Sequence, residues 1–138
     1  MGLPVDQLIL GESLKDLLEQ VHMAGFEDES SPDVLPSAEV KERATRWLMA
    51  AVAEFQALQP AMAIPTGHVV ATAGGGLRIE WWAGNQSSVH LLISPTDADK
   101  DGLFCRYEVA EPGRLLQGFS SLQLAAALQR LIQAADRQ

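Results

Sequence analysis

The sequence predicts an α+β domain: a four-stranded antiparallel β-meander with two N-terminal helices and one C-terminal helix packed on one face of it. Three observations predict this. An apolar stripe recurs at steps of three or four residues from Val40 to Leu58, the period of a helix with one buried face. Four short apolar stretches follow between His68 and Val109, separated by turn-forming residues, which is the pattern of a meander. A last amphipathic stretch, Leu124 to Ala135, comes after a Ser120-x-x-Gln123 start signal, the form of a capping box.

The 138 residues, 47% hydrophobic and 20% charged, suit one globular domain spanning 1–138. The first helix is expected at about 13–24. Gly11 interrupts the apolar Leu3–Leu10 segment, Ser13 stands as N-cap, Leu14, Leu17, Leu18 and Val21 keep helical spacing, and Gly25 closes the turn. Residues 26–36 are acidic and proline-punctuated, an exposed loop. The second helix, about 37–58, starts at Ser37 and buries Val40, Ala44, Trp47, Leu48, Ala51, Val52, Phe55 and Leu58. Its alanine run at 50–53 suggests that it lies across the sheet.

Strands are expected at about 68–72, 77–83, 88–93 and 103–109. Gly74-Gly75-Gly76 makes a hairpin turn, and after it Leu77, Ile79 and Trp81 alternate with Arg78, Glu80 and Trp82. A slip of one residue exchanges the two faces of a strand, so burial sets the register. A three-residue loop at 84–86 pairs Trp81 with Val89, Ile79 with Leu91 and Leu77 with Ile93, leaving Glu80 beside His90 on the other face. In the fourth strand Leu103, Cys105 and Tyr107 share the apolar side, where Cys105 acts as a small inert hydrophobe. Pro112-Gly113 lies in a loop, and the last helix covers about 120–136, with Phe119 and Leu124 as a hydrophobic staple.

Charge bounds the function. Residues 1–42 hold ten acids against Lys15 and Lys41, which accounts for the whole net charge of −8. Such an acidic end repels phosphate backbones and argues against nucleic acid, while it suits a basic partner protein. The single cysteine excludes an internal disulfide and fits a reducing compartment. With neither a signal-peptide pattern nor an apolar run near ~20 residues, a cytoplasmic protein away from membranes is expected.

One stretch imitates a metal site. Asp97, Asp99, Asp101, Gly102 and Glu108 match positions 1, 3, 5, 6 and 12 of an EF-hand calcium loop. Its context opposes that reading, because a strand and Pro95 precede it where a helix should stand. An extended Leu103–Glu108 at ~3.3 Å per residue also puts Glu108 roughly 20 Å from Asp101. The expectation is an acidic hairpin turn with solvated charges and a positive φ at Gly102. A weak calcium site at Asp97, Asp99 and Asp101 is the alternative.

Catalytic sets are thin. His22, His68 and His90 lack metal-ligand spacing. Glu80 beside His90 has the makings of an acid–base pair, and Ser88 adds the residue types of a hydrolytic triad, yet no nucleophile elbow accompanies them. The plainer reading is a cross-strand ion pair. Trp82, pointing away from the Trp81 face, is a typical interface anchor if no second layer covers it.

Pro65-Thr66, the glycine turn, Leu77-x-Ile79-Glu80-Trp81 and the strand ending at Ile93 together resemble a pattern in small uncharacterised bacterial proteins. Those proteins have a helix, a Pro-containing link and a Gly-Gly-Leu-x-Ile-Glu-Trp hairpin. The resemblance covers about Pro36 to Ile93 and departs at Ala73, where an Asp-Gly turn is commoner. It implies a bacterial helix-plus-meander protein and carries no activity with it.

The function expected is that of a non-enzymatic accessory protein, an immunity, antitoxin-like or chaperone-like partner. Its interface candidates are Trp82, Arg78, Glu80 and His90, with another protein or a second copy as occupant. The alternative is a small enzyme or ligand-binding domain using the Glu80/His90 face, and no cofactor other than the calcium option is implied.

Overall fold

A computed structural model of the chain describes residues 5–24, 35–60, 64–83, 87–107 and 112–136. It contains helices α1 (Val5–Met23), α2 (Ala38–Leu58) and α3 (Ser121–Asp136) and strands β1 (Gly67–Ala71), β2 (Leu77–Ala83), β3 (Ser87–Ile93), β4 (Gly102–Arg106) and β5 (Arg114–Gln117). The strands form one antiparallel meander in the order β1-β2-β3-β4-β5. The α+β class holds, with five strands in place of four.

α1 starts earlier than expected. Gly11 and Ser13 lie inside it, so Gly11 is no break and Ser13 no cap. A single glycine costs only about 1 kcal/mol in a helix interior, too little to stop one whose flanking turns are helical. Leu17 and Val21 are buried, with Leu14 and Leu18 packed against the core. Gly25 and most of the acidic loop lie outside the described residues.

In α2, the Ser37 Oγ accepts the Val40 N–H at 3.2 Å, satisfying one of the free donors of the first turn. Val40, Ala44, Leu48, Ala51, Val52 and Phe55 are buried, whereas Leu58 is exposed. The helix packs more against α3 than against the sheet. Of its alanine run only Ala51 and Val52 face inward, so the expectation that α2 lies across the sheet is corrected.

α3 begins with the expected capping box. The Gln123 N–H donates to Ser120 Oγ at 3.1 Å, and the Ser120 N–H donates to Gln123 Oε1 at 2.7 Å. Phe119 is buried and stacks on Trp47, with ring centroids 4.4 Å apart and planes at 18°. That contact ties the start of α3 to α2.

The β1–β2 turn is a short 3-10 segment, Ala73–Gly75, in which Gly74 and Gly75 have φ of 82° and 94°. L-side chains rarely adopt such angles, which is why glycines stand there. The β2–β3 register is Leu77↔Ile93, Ile79↔Leu91, Glu80↔His90 and Trp81↔Val89, as burial requires.

β5 forms where the sequence predicts loop. It pairs with β4, Leu103 opposite Leu116 and Phe104 opposite Leu115. All four of its residues are exposed, so no apolar alternation marked it. β4 ends at Arg106 rather than 109, and residues 108–111 lie outside the described residues.

On β1, Gln20 of α1 accepts the Val69 N–H at 2.9 Å and donates to the Gly67 carbonyl at 3.1 Å. The amide side chain thus occupies backbone groups that would otherwise template another strand. The fully buried apolar side chains of the sheet (Leu77, Ile79, Trp81, Val89, Leu91, Ile93 and Leu103) join one core cluster with residues of the three helices. The helices therefore cover one face of the sheet.

Candidate functional site

Strand alternation puts Arg78, Glu80 and Trp82 of β2, His90 and Leu92 of β3, and Phe104 of β4 on the face opposite the helices. Trp82 is 50% exposed, so no second layer covers it. The His90 ring stands between two aromatics, edge-on to Trp82 at 5.3 Å and to Phe104 at 5.5 Å. The carboxylate of Glu80 leans to Arg78, its Oε1 being 2.6 Å from Nε but 3.7 Å from His90 Nδ1. The Arg78 Nε–H is not aimed as a hydrogen bond, so the contact is an ion pair by proximity. Burial lowers the His90 pKa below the usual histidine value, and Arg78 lowers it further, against an upward pull from Glu80. His90 is thus held as neutral imidazole near pH 7.

These four interface candidates share one patch, but they do not assemble as acid–base machinery. A distance of 3.7 Å is too long for a Glu80–His90 hydrogen bond. Ser88, the triad's third member, is 3% exposed and so closed to substrate.

The acidic stretch is corrected in its chemistry. Asp97 caps a 3-10 turn (Ala98–Lys100), accepting the Asp99 N–H at 2.9 Å, and both side chains are exposed. Asp101 instead turns inward and is 2% exposed. Its carboxylate accepts Arg43 Nε–H at 2.8 Å, Arg43 Nη2–H at 3.1 Å, Trp47 Nε1–H at 3.1 Å and the Ser94 N–H at 2.7 Å. Arg43 also donates to the Ser94 carbonyl. With both its oxygens so engaged, Asp101 does not converge with Asp97 and Asp99. No group of three His, Cys, Asp or Glu suited to a metal forms among the described residues. Gly102 has no positive φ; it lies in β4, where a Cβ would stand 3.0 Å from Leu115 Cδ1.

The sequence carries a signal for Arg43. This residue falls between Val40 and Trp47 on the apolar stripe of α2, and a charge on a buried stripe calls for a buried partner.

A second feature was also missed, a cleft of about 440 Å³ between the β4–β5 end of the sheet and α3, lined by Cys105, Tyr107, Pro112, Arg114, Leu116 and Arg130. The Arg130 guanidinium lies over the Tyr107 ring, 4.2 Å from its centroid. Burial raises the Tyr107 pKa well above the usual range, with the Cys105 thiol adding to it. The Cys105 thiol is itself pushed up by burial, against smaller downward pulls from Tyr107 and Arg130. It stays protonated and weakly nucleophilic, as its place on the apolar side suggested. A shallower hollow of about 400 Å³ lies over the Arg43–Asp101 pair, beside Arg46 and Ser121.

No protein-family model, curated protein or solved structure matches this chain. No helix among the described residues is long and apolar enough to cross a membrane.

Proposed function

We propose that this chain is a non-enzymatic protein-binding accessory protein that docks its partner on the open sheet face around Trp82. The observation that supports the reading is Trp82 itself, half-exposed on a face without helices and next to His90. Aromatic side chains with a charged rim are the usual anchors of protein interfaces, and here Arg78 and Glu80 supply the rim. An enzymatic role finds less support in the unbonded Glu80–His90 pair and the buried Ser88.

The test uses Trp82 as both probe and target. Trp81 is fully buried and Trp47 partly so, so acrylamide quenching of fluorescence reports mainly on Trp82. Proteins captured from the native host by the wild-type chain are compared with those captured by Trp82→Ala, and sedimentation of the pure protein checks for a second copy as partner. Binding that protects Trp82 from quenching and is lost in W82A supports the docking face. A partner retained in full by W82A refutes it.

A further inference from the structure

From the cleft between β4, β5 and α3 we infer a ligand site that nothing in the sheet-face reading requires: it binds a small organic acid, a carboxylate on an apolar body. About 440 Å³ is within the usual size of small-molecule pockets. Two arginines line it, Arg114 from β5 and Arg130 from α3. In a chain with eighteen acids and ten basic residues, these two arginines face no carboxylate among the described residues.

Arg130 is also pre-positioned. The Tyr107 ring beneath its guanidinium holds the group in place by a cation–π contact. Its peripheral N–H groups remain available for the two-pronged hydrogen bonding that carboxylates accept. The Tyr107 hydroxyl is engaged with the Cys105 thiol and stays protonated well past neutrality, so it puts no negative charge beside the arginines. Much of the remaining wall is apolar: Leu116 and Pro112 line the cleft, and the adjoining hollow of about 240 Å³ is walled by Leu103, Ala126 and Ala127, with Gln123 as a polar member. Guanidinium groups above an apolar wall select an anion with a hydrophobic tail over a bare one. This site is on the helix-covered side of the sheet, away from Trp82, so it stands or falls independently of the docking face.

The experiment titrates the full chain with benzoate to millimolar concentration while recording backbone and arginine side-chain amide spectra, with benzyl alcohol and inorganic phosphate in parallel. Saturable benzoate shifts are expected at Tyr107, Leu116 and Arg130, with none from benzyl alcohol. Arg130→Gln and, separately, Arg114→Gln are each expected to weaken benzoate by about tenfold. Arg114 is on an exposed edge strand, so its variant keeps the test decisive if R130Q fails to fold. The inference is overturned by a lack of saturable benzoate shifts, by unchanged affinity in the folded variants, or by phosphate binding the same residues more tightly than benzoate.

Discussion

Replacing Asp101 probes the most demanding polar contact in the fold. Asp101→Ala removes the acceptor of four hydrogen bonds and leaves Arg43, which is 8% exposed, as a buried charge without its carboxylate. Breaking such a pair from one side costs about 3–5 kcal/mol, a large part of the ~5–15 kcal/mol that stabilises a domain. With a urea m-value of about 2 kcal/mol/M, the unfolding midpoint should fall by roughly 2 M. Asp101→Asn is a sharper variant. All four partners are donors, and an amide has one acceptor oxygen, so either orientation sets an NH₂ group against two N–H groups. It should cost about 2 kcal/mol or more even though the shape is kept. The double variant Arg43→Met/Asp101→Leu should recover most of the loss, because no charge is then left unpaired. The assay is equilibrium urea unfolding followed by tryptophan fluorescence, with wild type, Arg43→Met, Asp101→Leu and their double variant closed into a double-mutant cycle. D101A and D101N both within about 1 kcal/mol of wild type, with m unchanged, would refute the reasoning.

Three other outcomes are expected. Gln20→Ala frees the outer edge of β1, and loss of two hydrogen bonds should cost about 1–2 kcal/mol and speed hydrogen exchange at the Val69 amide, while unchanged exchange there would show that the amide does not guard the edge. The folded state favours neutral His90, so the unfolded chain takes up the proton first and stability is lost as pH falls from neutrality through the usual histidine range and below; His90→Gln should have a shallower loss between pH 7 and 5, and an equal slope would exclude His90 as its source. Tyr107 is the chain's single tyrosine, so absorbance at 295 nm should show no tyrosinate in the folded protein at the ordinary midpoint of about pH 10, whereas half-ionisation there would contradict the buried phenol.

Much of the frame was legible in the chain itself. Ser37 and the stripe behind it, the Ser120/Gln123 box, and the inward set Leu77, Ile79 and Trp81 are local patterns, because helix and strand periods translate directly into buried faces. They sufficed to place Glu80 opposite His90 and to put Trp82 on the other side from Trp81. Patterns fail where a segment owes its conformation to a neighbour. β5 is four exposed residues held by the backbone of β4, and α1 runs through a glycine and a serine that locally resemble a break and a cap.

Charges were the least legible feature, and the reason is physical. Asp97, Asp99 and Asp101 are identical as residues and evenly spaced, yet two are solvated and one is buried among donors from α2 and Ser94. What decides is whether a partner some fifty-eight positions away arrives within hydrogen-bonding distance, which spacing along the chain does not encode. The same holds for the cleft, since Cys105, Arg114 and Arg130 come from three elements that meet only on folding. By itself, then, the sequence determined the meander, its register and the face to which each tryptophan of β2 belongs. The helices were expected on one face of the sheet; only the tertiary structure decided that nothing covers the other, which leaves Trp82 half-exposed, because burial on one face of a sheet says nothing about what covers the opposite one.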